Sequence, residues 1–497
     1  MDEKRRAPFA IDEKLFRQMG HRLVDELADL LASVPARPVT KDRPPAAIRE
    51  ALRLNDALPE HGSDPETVLD GLARTLFDHS LFNAHPRFFG YITAAPAPIG
   101  VLGDFLASAL NPNVGSWTLA PAATEIEAQT VRWIAELIGY PTDCGGLLLS
   151  GGNMANIVCF LAARRARAPW DVRTDGVAAP SAPRMVVYCS TETHTWVQKA
   201  ADLAGLGTSA VRWIPVGPDL AMDVRALSRA IADDQQAGHL PGLVVCTAGS
   251  VSTGAVDPIA EIAALCREKG IWCHVDGAYG GMAARVPNAP EALRALALAD
   301  SVAVDPHKWL YAPLEAGCAL VRSRDTLSAA FAYHPPYYHF AEQVLNYVDF
   351  GPQNSRGFRA LKVWLALRHA GASGYRQMIG DDIALSQLMA SAVDRHPELQ
   401  LVSQALSITT FRYVPLEMRG RLGERSTEEA LDALNKSLLD AVQRGGDAFV
   451  SNAVVNGRYV LRACIVNFHT ERSDVEALPE IVAACGRELQ LARARPT

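Results

Sequence analysis

Between about residue 100 and residue 370 the chain alternates short, apolar, β-branched runs with longer amphipathic ones. "RMVVYCS", "GLVVCTAGS", "GIWCHVDGA", "DSVAVD" and "GCALVRS" are the short runs, and helical stretches such as "DPIAEIAALCREKG" separate most of them. Strands that read as apolar throughout must be covered on both faces. Alternation with helices therefore predicts an α/β fold with a mostly parallel sheet between helical layers. In such sheets ligands sit beyond the carboxyl ends of the strands, so functional residues are expected just after each short run.

The flanking segments follow other patterns. Near the N-terminus, "IDEKLFRQMGHRLVDELADLL" places apolar residues at helical spacing behind Asp12 as N-cap, and the Pro-rich "PARPVTKDRPPAAIRE" follows. An isolated amphipathic helix must bury its stripe on its own domain or on a second subunit. "TEIEAQTVRWIAELIG" reads as a helix with a capping box from Thr124 to Glu127 and a stop at Gly139. Beyond "GFRALKVWLALRHAG" come a strand ("SITTFRYVP"), a helix with a second capping box (Ser426 to Glu429) and a hairpin turning on Asn456-Gly457. These patterns predict three parts: an N-terminal helical segment (1–98), a large α/β domain (99–372) and a small α+β C-terminal domain (373–497).

Composition narrows the function. A net charge of −7 gives no reason to expect nucleic acid or an anionic membrane as partner. No apolar run is long enough to span a bilayer, and the opening "MDEKRRAPFA" lacks a secretory h-region. The nine cysteines lack a C-x-x-C pair, which suits reduced thiols in a cytoplasmic protein. No Cys/His cluster has zinc-ligand spacing, so no metal is expected.

The residues after each strand carry the chemistry. Ser150-Gly151-Gly152-Asn153 lies at a strand-to-helix turn, where free backbone amides and a helix N-terminus favour a phosphate. It matches neither the Walker loop nor G-x-G-x-x-G, and it could equally be a turn that binds nothing. His194 opens the next helical stretch and could lie over a ring or simply cap the helix. Asp276 ends "IWCHVD" beside Gly277 and Ala278, leaving room for a flat group; it could instead be a capping aspartate. His274 shares its strand face. Lys308 follows the next strand, one strand–helix–strand unit later, with Trp309 beside it. A desolvated lysine can act as a nucleophilic amine, whereas an exposed one is a surface charge. Jointly these residues describe pyridoxal 5'-phosphate: Gly151, Gly152 and Asn153 for its phosphate, Asp276 for its ring nitrogen, Lys308 for its aldehyde as a Schiff base.

Six motifs, "HPRFFGY", "APAATEIE", "THTWVQKA", "HVDGAYGG", "DPHKWL" and "SRGFRALKVW", resemble in this order the group II pyridoxal-phosphate-dependent amino-acid decarboxylases, in particular the aromatic-L-amino-acid branch. The resemblance runs from near residue 10 to near residue 480. It implies a fold-type I homodimer with active sites at the subunit interface and the N-terminal segment wrapped on the partner. It implies Lys308 as the Schiff-base lysine, Asp276 at the pyridine nitrogen, His194 stacked on the ring and Ala278 under its other face. His307 and the Ser150–Asn153 turn would serve the phosphate, with Thr247 near the ring substituents. The family's loop tyrosine, the proton donor to the α-carbon, matches Tyr337 in "AFAYHPPYYHFAEQ", with Tyr338 adjacent. His334 and His339 in this loop lack a third ligand for a metal.

The implied reaction is decarboxylation of an L-amino acid with an aromatic or otherwise bulky side chain, giving the amine and carbon dioxide. In relatives with phenylalanine for the tyrosine, the resemblance implies an aldehyde through oxidative deamination instead. An aminotransferase, a decarboxylase of non-aromatic amino acids and a non-catalytic binding protein are the competing readings. Phe89, Tyr91, Ile92, Asn113 and Trp117 are the candidate substrate-pocket residues, with core packing as the competing role for Phe89 and Trp117. Tyr91-Ile92-Thr93-Ala94 departs from the Tyr-Phe-Pro of the aromatic branch, and Asn113 and Gly115 replace larger apolar residues. Arg462 is expected either near the site or in a structural ion pair.

Overall fold

The computed structural model describes residues 7–180, 182–334 and 344–494. Among them the strands are β1 (Phe88–Phe89), β2 (Gly145–Leu149), β3 (Met185–Ser190), β4 (Val211–Ile214), β5 (Leu240–Thr247), β6 (Trp272–Asp276), β7 (Ser301–Val304), β8 (Gly317–Val321), β9 (Leu399–Ala405), β10 (Ile408–Tyr413), β11 (Phe449–Val455) and β12 (Arg458–Cys464). They form two sheets. The larger has the order β2-β8-β7-β6-β5-β3-β4. β8 alone runs antiparallel to its neighbours, so β2 to β7 share one direction and their carboxyl ends share one edge. β2, β3, β6, β7 and β8 are buried along their whole length. That burial on both faces is why they read as unbroken apolar runs.

The helix Gly152–Arg167 follows β2, Trp196–Leu203 follows β3, and Ile259–Lys269 separates β5 from β6. The long helix Ala360–Arg395 leaves helical geometry at Gly371 (φ 65°, ψ 167°), and its second half packs on the smaller sheet. That sheet has the order β1-β11-β12-β10-β9. Its β11–β12 hairpin turns on Asn456 and Gly457, both at positive φ, as the Asn-Gly pair requires. β1 pairs with β11 in parallel, Phe88 with Phe449 and Phe89 with Val450, so the N-terminal segment contributes a strand to the C-terminal sheet.

Asp12 caps the first helix, Glu13–Ser33, by accepting from the Leu15 amide at 2.9 Å, and Gly139 ends Pro121–Ile138 at φ 77°. Both expected capping boxes are corrected. Pro121, which lacks the amide hydrogen that would need a cap, starts its helix three residues before Thr124, so Glu127 lies inside it. There Glu127 is fully buried and pairs with Arg356 across 2.5 Å. The later helix starts at Arg425 rather than after Ser426. Glu428, not Glu429, reaches back to the Gly423 amide, at 2.9 Å, and pairs with Arg412 at 2.6 Å.

Candidate active site

The glycine turn closes β2. Gly151 has φ 99°, a conformation that costs glycine nothing. A Cβ on Gly152 would lie 2.6 Å from Asp305 Oδ2, so this position admits no side chain while Asp305 stays. The turn and the start of the helix Gly152–Arg167 therefore present bare backbone to the sheet edge.

Neighbouring strand ends supply the other groups. Thr247 ends β5. Its amide donates to Asp257 Oδ2 at 2.7 Å, and its hydroxyl lies 3.2 Å from that of Thr193. Burial pushes Asp257 up to about 6. Asp276 ends β6, paired with Ala303 of β7. Its Oδ1 accepts from the Ala278 amide at 3.1 Å and its Oδ2 from Trp196 Nε1 at 2.7 Å.

Lys308 stands four residues beyond β7, in a turn closed by Lys308 N to Asp305 O (2.9 Å) and Tyr311 N to Lys308 O (3.0 Å). Its Nζ lies 3.0 Å from Asp305 Oδ2, with 18% of the side chain exposed. Lys308 is therefore largely desolvated and paired, not a free surface charge. Trp309 beside it is fully buried, stacks on Tyr279 at 4.6 Å and donates to Asp382 at 2.9 Å.

Three histidines surround these groups, and burial holds all three below the ordinary imidazole pKa. His194 Nδ1 accepts from the Trp196 amide at 3.3 Å. His307 Nδ1 lies 2.6 Å from the Ala316 carbonyl and 3.3 Å from the Ala316 amide. His274 sits between Ser301 Oγ (2.8 Å) and Asn156 Oδ1 (2.7 Å), and burial lowers it to about 4.

Gly151, Gly152, Asn153, His194, Thr247, Asp276, Ala278, His307 and Lys308 all line one cavity of about 420 Å³, together with Ser150. The other expected positions lie elsewhere in the chain's own structure. Phe89 meets neither solvent nor the cavity. It is buried among Phe411, Val450 and Leu461 in the core of the smaller sheet, which is its core-packing role. Tyr91, Ile92, Asn113 and Trp117 are not among the cavity's lining residues. Asn113 Oδ1 accepts from the amides of Gly115 and Arg356, and Trp117 Nε1 donates to Glu125 at 2.8 Å. Arg462 forms no carboxylate pair among the described residues; it donates to the carbonyls of Val251 (2.6 Å) and Tyr91 (3.0 Å). Tyr337, Tyr338 and His339 lie outside the described residues.

Among the cavity residues that carry no expected role from the sequence are Asn156, Trp196 and Asp305. Asp305, three residues before Lys308, had a local signal, because a turn brings i and i+3 together. Trp196 and Asn156 had none.

The cavity suits a flat, phosphate-bearing aldehyde. It offers side-chain-free backbone at a helix start, an amine, a carboxylate beyond the neighbouring strand and an imidazole. Asp305 Oδ1, near the glycine turn, is buried without a hydrogen-bond partner among the described residues. A volume of this size is typical of small-molecule sites.

The model of the family described as "Pyridoxal-dependent decarboxylase conserved domain" matches residues 45–414. The chain belongs to this family. It is a pyridoxal-phosphate-dependent amino-acid decarboxylase of fold-type I. It is 31% identical over 480 residues to the aromatic-L-amino-acid decarboxylase of Bacillus atrophaeus, covering 96% of each chain. It is 28% identical over 485 residues to the phenylacetaldehyde synthase of Arabidopsis thaliana, covering 95% of this chain and 96% of that one. Its structure is similar to the crystal structure of Oryza sativa TDC with PLP and tryptamine. The TM-score is 0.88 at 28% identity, over 98% of this chain and 100% of that one.

Proposed function

We propose that this decarboxylase acts on an aromatic L-amino acid, giving the amine and carbon dioxide, with Lys308 and Asp276 as its cofactor-binding pair. The observation that carries this reading is that these two side chains, from adjacent parallel strand ends, border the same cavity as the Ser150–Asn153 turn. When bound, pyridoxal phosphate supplies an electron sink for the pair left behind by departing carbon dioxide.

The protein's own groups do the rest. Lys308 Nζ is the amine for the cofactor's aldehyde carbon, and Asp305 holds that amine when it is free. Asp276 pairs with the ring nitrogen, where a water-poor site makes the charge pairing count for more than in bulk. His194 and Ala278 flank the ring, His307 and the glycine turn hold the phosphate, and Thr247 meets a ring substituent. Tyr337 gives the proton to the substrate's α-carbon.

The homodimer belongs to the same reading. On the helix Pro98–Leu110, Gly100 and Gly103 are buried against Pro313 and Lys362, while Leu102, Phe105, Leu106 and Leu110 on the far side stay about half exposed or more. A second copy would cover that face and bring its Tyr91, Ile92, Asn113 and Trp117 toward this cavity. The helix break at Gly371 supports a large-to-small domain boundary near residue 372. The nine cysteines are all free, which suits the cytoplasm, and among the described residues no helix is long and apolar enough to cross a membrane.

The test incubates the protein with aromatic amino acids and follows carbon dioxide, amine, hydrogen peroxide and aldehyde together. Carbon dioxide and amine in equal amounts are expected, and Lys308→Ala abolishes turnover and borohydride fixation of the cofactor. Stoichiometric peroxide and aldehyde would instead establish the aldehyde-synthase chemistry. Full activity in Lys308→Ala would refute the lysine assignment.

A further inference from the structure

Trp196 has no exposed surface, yet its indole N–H needs a partner. It finds one in Asp276 Oδ2, at 2.7 Å. The indole has little freedom to turn away. Phe160 meets it edge-on at 6.4 Å (87°) and His274 at 5.7 Å (86°). His274 is itself held from both nitrogens, by Ser301 and Asn156. The helix that Trp196 opens is anchored to β3 through Thr193, whose amide donates to the Ser190 carbonyl at 3.0 Å. The second Asp276 oxygen takes the Ala278 amide. Asp276 is therefore held by a donor on each oxygen, one of backbone and one of a locked side chain.

An indole N–H only donates, so it pairs with a carboxylate oxygen and, with the Ala278 amide on the other oxygen, fixes the plane of the carboxylate.

We propose that Trp196 is a positioning residue: its indole N–H holds the Asp276 carboxylate in place and aims it at the ring nitrogen of pyridoxal phosphate. This rests on Lys308 and Asp276 serving the cofactor as proposed above. Trp196 acts through Asp276 and donates to no reacting atom.

The experiment is a double-mutant cycle of Trp196→Phe and Asp276→Asn, with three readouts. These are the affinity of each cofactor-depleted protein for added pyridoxal phosphate, kcat, and KM for the amino acid. Loss of one hydrogen bond to a charged group supports a fall on the order of 10- to 100-fold in cofactor affinity or kcat, with KM little changed. In the Asp276→Asn background, Trp196→Phe should add no further loss. Replacing Trp196 by β-(3-benzothienyl)alanine keeps the fused ring and exchanges only N–H for sulfur. It should reproduce the loss with packing intact, even if the Phe variant folds poorly.

Unchanged cofactor affinity and kcat in the benzothienyl protein overturn the role of Trp196. An equal loss with or without the Asp276 carboxylate overturns it too. If borohydride still fixes the cofactor on Lys308 in those cases, the assignment of Lys308 stands. If wild-type protein fixes none there, both fall together.

Discussion

Arg356→Leu tests how the large sheet is held beneath the glycine turn. The Arg356 guanidinium is 1% exposed and the Glu127 carboxylate 0%. Arg356 reaches Glu127 through both terminal nitrogens, at 2.5 and 3.2 Å, and also donates to the carbonyls of Val114 (3.0 Å) and Leu148 (2.7 Å). Leu148 of β2 lies two residues before Ser150, and its amide donates to Glu127 at 2.8 Å. In the variant, Glu127 keeps only that amide and must either stay charged without a counter-ion or take up a proton. From an ordinary glutamate pKa, protonation at pH 7 costs about 4 kcal/mol, within the roughly 3–5 kcal/mol expected for breaking a buried pair. At pH 5 the same protonation costs only about 1 kcal/mol.

Urea unfolding followed by far-UV circular dichroism at pH 5 and pH 7 measures the deficit. Glu127→Leu combined with Arg356→Leu should recover much of it, because no charge is then left buried. A single variant within about 1 kcal/mol of wild type at pH 7, or a double variant no better than the single, would refute the reasoning.

Tyr337→Phe is expected to shift product from amine toward aldehyde and peroxide, measured by assaying both on the same substrate. If Tyr338→Phe does so instead, the loop tyrosine is the neighbour. Asp382 accepts from Trp309 (2.9 Å) and Tyr311 (2.8 Å), and burial pushes it up to about 7. Its folded pKa is raised, so its contribution to stability is full below about pH 4 and lost as pH rises through about 7. Asp382→Asn should therefore gain on wild type between pH 5 and pH 8, by up to about 3 kcal/mol, in thermal unfolding; parallel curves for the two proteins would contradict this.

Much of this protein was written locally. Val302 and Val304 lie in a short apolar run that folds as a fully buried strand, Asn456-Gly457 dictates its own turn, and Gly151-Gly152 permits close backbone approach without reference to distant residues. The parallel sheet then follows from strand–helix alternation, and with it the rule that chemistry gathers at one edge. That is why the sequence alone groups Lys308, Asp276 and the glycine turn, with His194 joined to them by the family resemblance. What the tertiary structure alone decided are the partners of those groups. Glu127 sits at the spacing of a capping box, yet it answers to Arg356, 229 residues away. Trp196 answers to Asp276, 80 residues away, and Phe89 to a hairpin at the other end of the chain. Such pairings depend on which strands become neighbours and which rotamers the packed core allows. No periodicity records that, because a buried carboxylate takes whichever donor the fold brings within hydrogen-bonding distance.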